Sequence, residues 1–404
     1  MTSTVYIAKN VYGGDGLGRL GDGRVVFVPG AWAGENVKAE IVEEKRHFVK
    51  ARLVEVVEAS PDRVDGAALA NVPGLVYAGL SVAGETAAKN AQLVEFLERA
   101  RLVPEGWQGL VGPSSDEVVP LNYRNKAVYH FARERGKWAI GYRTEPTHAI
   151  VDVEQDPLVV KPINDKLPEI RRSVLALLTT GPVAVRRGIE QKGNVTIRWT
   201  PKSGVKWWVG DAPKDLALKE TTHGLDFEVP ADGFYQVNPG VGERLADHVT
   251  RLYEMGRAEA PELVDLYCGV GVFGLCCRPP KLIGVESGRQ AVEFARRNAA
   301  RLKLVAKFFA EQVGPNMRRI PIGPRTTVIV DPPRSGMEPN VPKALAASQA
   351  PRIIYVSCDP ATLVRDLKTI CRGGYAVESV RRFAMFPRTA RFETVVGLTR
   401  GRPA

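Results

Sequence analysis

Glu262-Leu263-Val264-Asp265-Leu266-Tyr267-Cys268-Gly269-Val270-Gly271-Val272-Phe273-Gly274 decides the fold of this 404-residue chain. A short apolar run over 262–268 reads as a strand, and it empties into G-x-G-x-x-G, a pattern that lets the backbone turn tightly and approach a ligand. From about residue 240 onward, apolar runs alternate with helical ones. The strand segments are ELVDLYC (262–268), KLIGVE (281–286), KFFA (307–310), TTVIVD (326–331) and RIIYVS (352–357). Helical runs lie between several of them or follow the last, including Arg289–Leu302 and Pro360–Ile370. This alternation predicts an α/β domain over 233–404, a doubly wound, Rossmann-like sheet with a mostly parallel core.

In such a sheet ligands bind beyond the carboxyl ends of the strands. The first strand ends in the glycine segment, the second in Glu286, the fourth in Asp331-Pro332-Pro333-Arg334, and the fifth in Ser357-Cys358-Asp359-Pro360. Glu286 stands 17 positions after Gly269, where an acid can bind ribose hydroxyls. The loop alone suits a nicotinamide dinucleotide nearly as well, and a plain strand-to-helix turn also gives such matches. Asp265 inside the strand and the Asp331 segment favour S-adenosylmethionine. After the two prolines, Arg334 occupies the place where adenine-N6 chemistry would want an aromatic ring.

Cys358 follows an apolar strand and precedes a helix start, where the local dipole can lower a thiol's pKa. Its Ser, Asp and Pro neighbours do not look like core. A thiolate suits one chemistry well. C5 of uracil is too weak a nucleophile to take a methyl group from a sulfonium directly, but thiolate addition at C6 makes it one. A base must then remove the C5 proton so that the thiolate can leave.

Upstream, residues 1–60 read as short strands with glycine turns, an OB-like β-barrel or, failing that, a hairpin extension. Residues 61–232 contain a helical stretch at 85–103, with Leu93, Phe96, Leu97 and Ala100 on one stripe, then a central β-rich α+β module with a helix near 162–179. Trp138, Trp207 and Trp208 there could stack bases, although period-two spacing more often packs a sheet.

The composition is that of a globular protein, 44% hydrophobic and 25% charged, with a formal charge of +11. Residues 1–60 balance 8 basic against 8 acidic side chains, whereas residues 231–404 carry 26 against 16, which favours a polyanionic partner. Five cysteines without a zinc-like spacing point to a reduced, cytoplasmic setting and to no metal site. The apolar stretch near 263–277 is too short and interrupted to span a bilayer, so no membrane is expected.

Taken together, these segments resemble the RNA 5-methyluridine methyltransferase family. Val264–Gly271 is similar to its cofactor loop, Asp331–Gly336 and Tyr355–Leu363 to its catalytic blocks, and Phe386–Glu393 to its C-terminal block. Phe234–Asn238 resembles the segment leading into the cofactor domain. Tyr12–Arg19 through Val28-Pro29-Gly30 resembles a TRAM domain, an RNA-binding barrel. The resemblance implies Cys358 as nucleophile, Glu393 as the base, S-adenosyl-L-methionine as cofactor, and RNA as partner of a monomeric enzyme. It implies cofactor contacts from Gln236, Tyr267, Glu286 and Asp331, beside Gly269 and Gly271 of the loop. The target would be 23S rRNA first and the tRNA T-loop second. Ser60–Leu80 has none of the four cysteines with which many TRAM-bearing members hold an iron–sulfur cluster, so no cluster is expected. Val272, Asp359, Ala384 and Arg391 depart from the family's usual asparagine, asparagine, aspartate and histidine. Two other readings stay open: cytosine-C5 methylation, disfavoured by Arg334-Ser335 where a second cysteine would stand, and an RNA-binding or RNA-folding protein without catalysis.

Overall fold

A computed structural model describes residues 2–66, 69, 72–134, 136–144, 147–180 and 192–401. At the N-terminus β1 (Thr2–Asn10), β2 (Gly16–Arg19), β3 (Val25–Val28), β4 (Asn36–Glu44) and β5 (Phe48–Glu58) close into a barrel, in the order β1-β2-β3-β5-β4. Alternation fills it: Val5 and Ile7 point in with Val26, Val28, Val37, Ala39, Val49 and Ala51, while Tyr6 points to solvent.

Helix α1 (Val82–Arg99) follows. It starts three residues before the expected 85 because the Ser81 side chain caps it, accepting from the Gly84 N–H at 2.9 Å. It ends four residues before the expected 103, and Arg101 has a left-handed φ of 56°. Leu93 and Leu97 are fully buried. They join the core of the C-terminal sheet, and β6 (Leu110–Val111) adds a parallel strand to that sheet's end. Both elements lie in the stretch expected to precede the catalytic domain.

Next, β7 (Lys126–Glu134), β8 (Lys137–Arg143), β9 (Ile150–Asp152), α2 (Lys161–Thr180), β10 (Lys192–Thr200) and β11 (Gly204–Val209) form a five-stranded sheet, β11-β10-β7-β8-β9. Helix α2 covers one face through Ile163, Leu167, Ile170 and Val174. Trp138 and Trp207 pack into that same core, and Trp208, one residue on, is buried against the other face. These rings therefore serve packing. A hairpin of β12 (Ala217–Thr222) and β13 (Leu225–Pro230) leads onward.

The remainder alternates as expected: α3 (Pro239–Gly256), β14 (Glu262–Leu266), α4 (Val272–Cys276), β15 (Lys281–Glu286), α5 (Arg289–Arg301), β16 (Ala306–Ala310), α6 (Val313–Asn316), β17 (Thr326–Val330), α7 (Asn340–Ala347), β18 (Arg352–Ser357), α8 (Pro360–Cys371), β19 (Tyr375–Phe383) and β20 (Glu393–Arg400). The sheet order is β16-β15-β14-β17-β18-β20-β19-β6. Strands β14 to β18 are parallel, and β20 runs antiparallel to β18 and β19. Helices α3, α4 and α5 pack on one face, where Leu263 points, and α1, α7 and α8 on the other, where Val264 and Leu266 point. The fold is thus the expected doubly wound sheet with an N-terminal barrel. Strand order reverses between β14 and β17, so the crevice beyond those two strands is where a ligand belongs.

Candidate active site

Strand β14 ends at Leu266, two residues earlier than expected, because Tyr267 turns the chain with a left-handed φ of 62°. Gly269 and Gly271 continue the turn at φ 54° and 86°, conformations that cost glycine little. The reversal opens a cavity lined by Gln236, Tyr267, Gly269, Val272, Phe273 and Asp331, among others. Gly271 lies behind it, where an added Cβ would press on Leu275 at 3.0 Å. Glu286 braces the loop from β15: one oxygen accepts from the Gly269 N–H at 3.2 Å, the other from the Gly288 N–H at 2.7 Å.

Asp265 lies beneath the loop, 1% exposed. One of its oxygens accepts from the Gly274 N–H at 3.0 Å, while Oδ1 has no partner. Burial, opposed by that bond and reinforced by Glu286, pushes its carboxyl up to about 7. Burial and the charges of Asp265 and Glu286 push Asp331 up to about 8. Asp331 lines the cavity, and the Asp265 and Glu286 carboxyls bear on it from behind, an environment that favours a cation.

Cys358 sits between the end of β18 and the start of α8. The last residues of the β18–β20 ladder are Ser357 and Thr394. One step further, the antiparallel register brings Cys358 and Glu393 to the same end of adjacent strands. Glu393 is 4% exposed, and burial together with Asp331 raises its carboxyl well above the usual range, opposed by Arg334. Burial, then Glu393 and Asp331, push the Cys358 thiol up to about 12, against Arg334 and Arg391. This corrects the expectation of a depressed thiol. The helix terminus is present, but Asp359 Oδ1 already accepts the N–H groups of Ala361 and Thr362 at 3.0 and 3.1 Å. Desolvation and nearby carboxylates outweigh what remains of the dipole. Two of the departures from the family pattern face each other, with Arg391 Nη1 3.9 Å from Asp359 Oδ2.

The loop carrying Phe386–Phe392 is anchored by groups that sequence reasoning did not single out. Lys89, 2% exposed, donates to Glu85 Oε1 at 2.6 Å and to the Phe386 carbonyl at 3.2 Å. Arg388 holds a left-handed φ of 67°; its N–H donates to Glu85 Oε1 at 2.9 Å and its guanidinium to the Leu80 carbonyl at 2.5 Å. Tyr123 donates to the Pro387 carbonyl at 3.1 Å. Such a network over-determines the loop. It joins residues about 300 positions apart in sequence, and no local pattern announces it.

Among the described residues, no group of three or more His, Cys, Asp or Glu side chains could hold a metal ion. Among these residues no helix is long and apolar enough to cross a membrane.

Comparison with known proteins adds similarities to both ends of the chain. Residues 324–401, which include Asp331, Cys358 and Glu393, match the family model described as tRNA (uracil-5-)-methyltransferase, and residues 2–54 match the TRAM domain. A protein of Thermotoga maritima named as an uncharacterized RNA methyltransferase is 28% identical, over 99% of this chain and 100% of its own. One of Gloeobacter violaceus, also named as an uncharacterized RNA methyltransferase, is 28% identical over 99% of this chain and 96% of its own. In structure, the chain is similar to the tRNA (uracil-54, C5)-methyltransferase of Pyrococcus abyssi, solved with S-adenosyl-L-homocysteine. The TM-score is 0.75 at 22% identity, covering 98% of this chain and 99% of that one.

Proposed function

We propose that this protein is an S-adenosylmethionine-dependent RNA methyltransferase that methylates C5 of a uridine through a covalent Cys358 adduct. The observation that carries the reading is the meeting, at one end of the sheet, of the Cys358 thiol, the buried Glu393 carboxyl and the Asp331 cavity. The match of residues 324–401 to the tRNA (uracil-5-)-methyltransferase model supports uracil as the base.

The donor-rich yet acidic cavity fits the cofactor. Gln236, Tyr267, Gly269 and Asp331 would line its binding place, Gly271 would shape the loop, and Glu286 stands ready for ribose hydroxyls. When bound, S-adenosylmethionine supplies an electrophilic methyl group. Cys358 Sγ adds to C6 of the uracil, which turns C5 into the nucleophile that takes the methyl. Glu393 then removes the C5 proton, the C5–C6 double bond re-forms, and Sγ leaves. A carboxylate whose proton affinity is raised by burial is a better base for a carbon acid than an exposed one. Burial raises the carboxyls of Asp331 and Glu393, and positive charge entering beside Asp331 would lower them again.

Of the two RNA targets, the family's description favours tRNA, and 23S rRNA remains the alternative for a chain with this barrel and central module. A reduced, cytoplasmic setting suits five cysteines that are all free. The test is a trap. A Glu393→Gln variant, mixed with cofactor and unmodified RNA, should accumulate a denaturation-resistant protein–RNA adduct, because the C5 proton cannot be removed. Cys358→Ala should form none. Equal adduct in both variants would sink the proposed roles.

A further inference from the structure

One side chain touches the supports of both Cys358 and Glu393, and it comes from the barrel at the opposite end of the chain. Tyr12, just after β1, donates from its hydroxyl to Asp359 Oδ2 at 3.2 Å. Asp359 follows Cys358 directly, and its other oxygen caps α8. The Tyr12 ring meets Phe392 edge-on, centroids 5.9 Å apart, and Phe96 of α1 at 5.8 Å. Phe392 is fully buried and directly precedes Glu393.

The turn bearing Tyr12 is itself held. Its Val11 N–H donates to the Asp15 carbonyl and Gly14 N–H to the Val11 carbonyl, each at 2.9 Å. Gln92 of α1 donates to the carbonyls of Asn10 and Val11 at 3.1 and 3.0 Å. The barrel turn is thus fastened to the catalytic sheet through α1, and from there it reaches across the site. A hydroxyl on one catalytic neighbour and a ring on the other make a rigid span.

We infer that Tyr12 is a positioning residue by which the RNA-binding barrel sets the alignment of Cys358 and Glu393. This rests on the function proposed above. Seating of RNA on the barrel would then bear on the chemical step as well as on affinity, because the barrel carries this turn.

Tyr12→Phe removes the hydroxyl and keeps the ring, and Tyr12→Ala removes both. Misplacement of catalytic groups by a fraction of an ångström is expected to lower kcat for RNA methylation about tenfold in Tyr12→Phe, and further in Tyr12→Ala. KM for RNA should stay within about twofold in Tyr12→Phe. Asp359→Ser keeps a capping oxygen and loses the one that Tyr12 reaches; in that background Tyr12→Phe should cost nothing more. Multiplying losses, or a rise in KM with kcat unchanged, would overturn the inference. A second arm does not depend on methylation: the rate of Cys358 alkylation by iodoacetamide should change several-fold in Tyr12→Phe, because Asp359, released from Tyr12, no longer fixes the backbone that carries the thiol. An unchanged rate overturns the positioning role. If wild type methylates no uridine, the proposed function fails, and the alkylation arm alone still judges Tyr12.

Discussion

Cys358 should be a sluggish thiol in the cofactor-free protein, contrary to the usual picture of a catalytic cysteine. Burial, Glu393 and Asp331 hold it at about 12. At pH 8 about one thiol in ten thousand is then ionised, against roughly one in four for a free cysteine of pKa about 8.5, a deficit of about 2,000-fold. The more basic thiolate is also the better nucleophile, and a Brønsted slope of ~0.4–0.5 restores roughly 25- to 60-fold. Net alkylation by iodoacetamide should therefore be about 40 to 100 times slower than for a free cysteine. The assay is peptide mapping after timed alkylation between pH 7 and pH 10, which separates Cys358 from Cys371 and from the three buried cysteines. The rate should climb about tenfold per pH unit throughout that range. Limited access alone would slow alkylation yet let the rate level off near pH 8.5. Levelling there would refute the electrostatic account. Glu393→Gln should accelerate the reaction, because it removes the carboxyl that, after burial, does most to disfavour the thiolate.

Asp265 gives a stability prediction with a definite sign. Its folded-state pKa is raised to about 7, so the folded protein keeps a proton that the unfolded chain gives up near pH 4, and this contribution is lost as pH rises through 7. The expected loss is about 2–4 kcal/mol between pH 4 and 8. Asp265→Asn should flatten part of the pH dependence of the urea midpoint, leaving what the other raised carboxyls contribute, Asp331 and Glu393 among them. Removing Glu85 leaves the buried Lys89 and Arg388 without their carboxylate. Glu85→Ala should destabilise by about 3–5 kcal/mol, while Lys89→Met should cost less, because Arg388 stays 3.5 Å from Glu85; thermal midpoints compare the two. In Gly274→Ala the new Cβ would stand 2.9 Å from Asp265 Oδ2 and 2.8 Å from Leu282 Cδ1. Calorimetry with S-adenosylhomocysteine should show binding weakened by an order of magnitude or more, or lost.

Much of the site could be read from the sequence because its groups sit at strand ends, and strand ends follow from local alternation. The loop after β14, Asp331 after β17 and Cys358 after β18 all fall where that rule puts them. The glycine match carried the turn but not its first residue: nothing in the apolar text of 262–268 signals that Tyr267 takes a left-handed backbone. Without the family resemblance Glu393 would read as an ordinary charge opening a strand, since only the β18–β20 register brings it beside Cys358. The thiol's direction was misread for a related reason. A helix dipole is a local property and visible in sequence, whereas desolvation and the Glu393 and Asp331 charges are products of tertiary packing. Tyr12 was visible only as part of the barrel's glycine turn, because its partner Asp359 is 347 residues away.

Methylation of uridine C5 through Cys358 is tested by incubating wild type and Cys358→Ala with methyl-labelled S-adenosylmethionine and unmodified total RNA, followed by digestion to nucleosides. Label is expected in 5-methyluridine with wild type and none with the variant. Label in 5-methylcytidine, or 5-methyluridine from the variant as well, would contradict it.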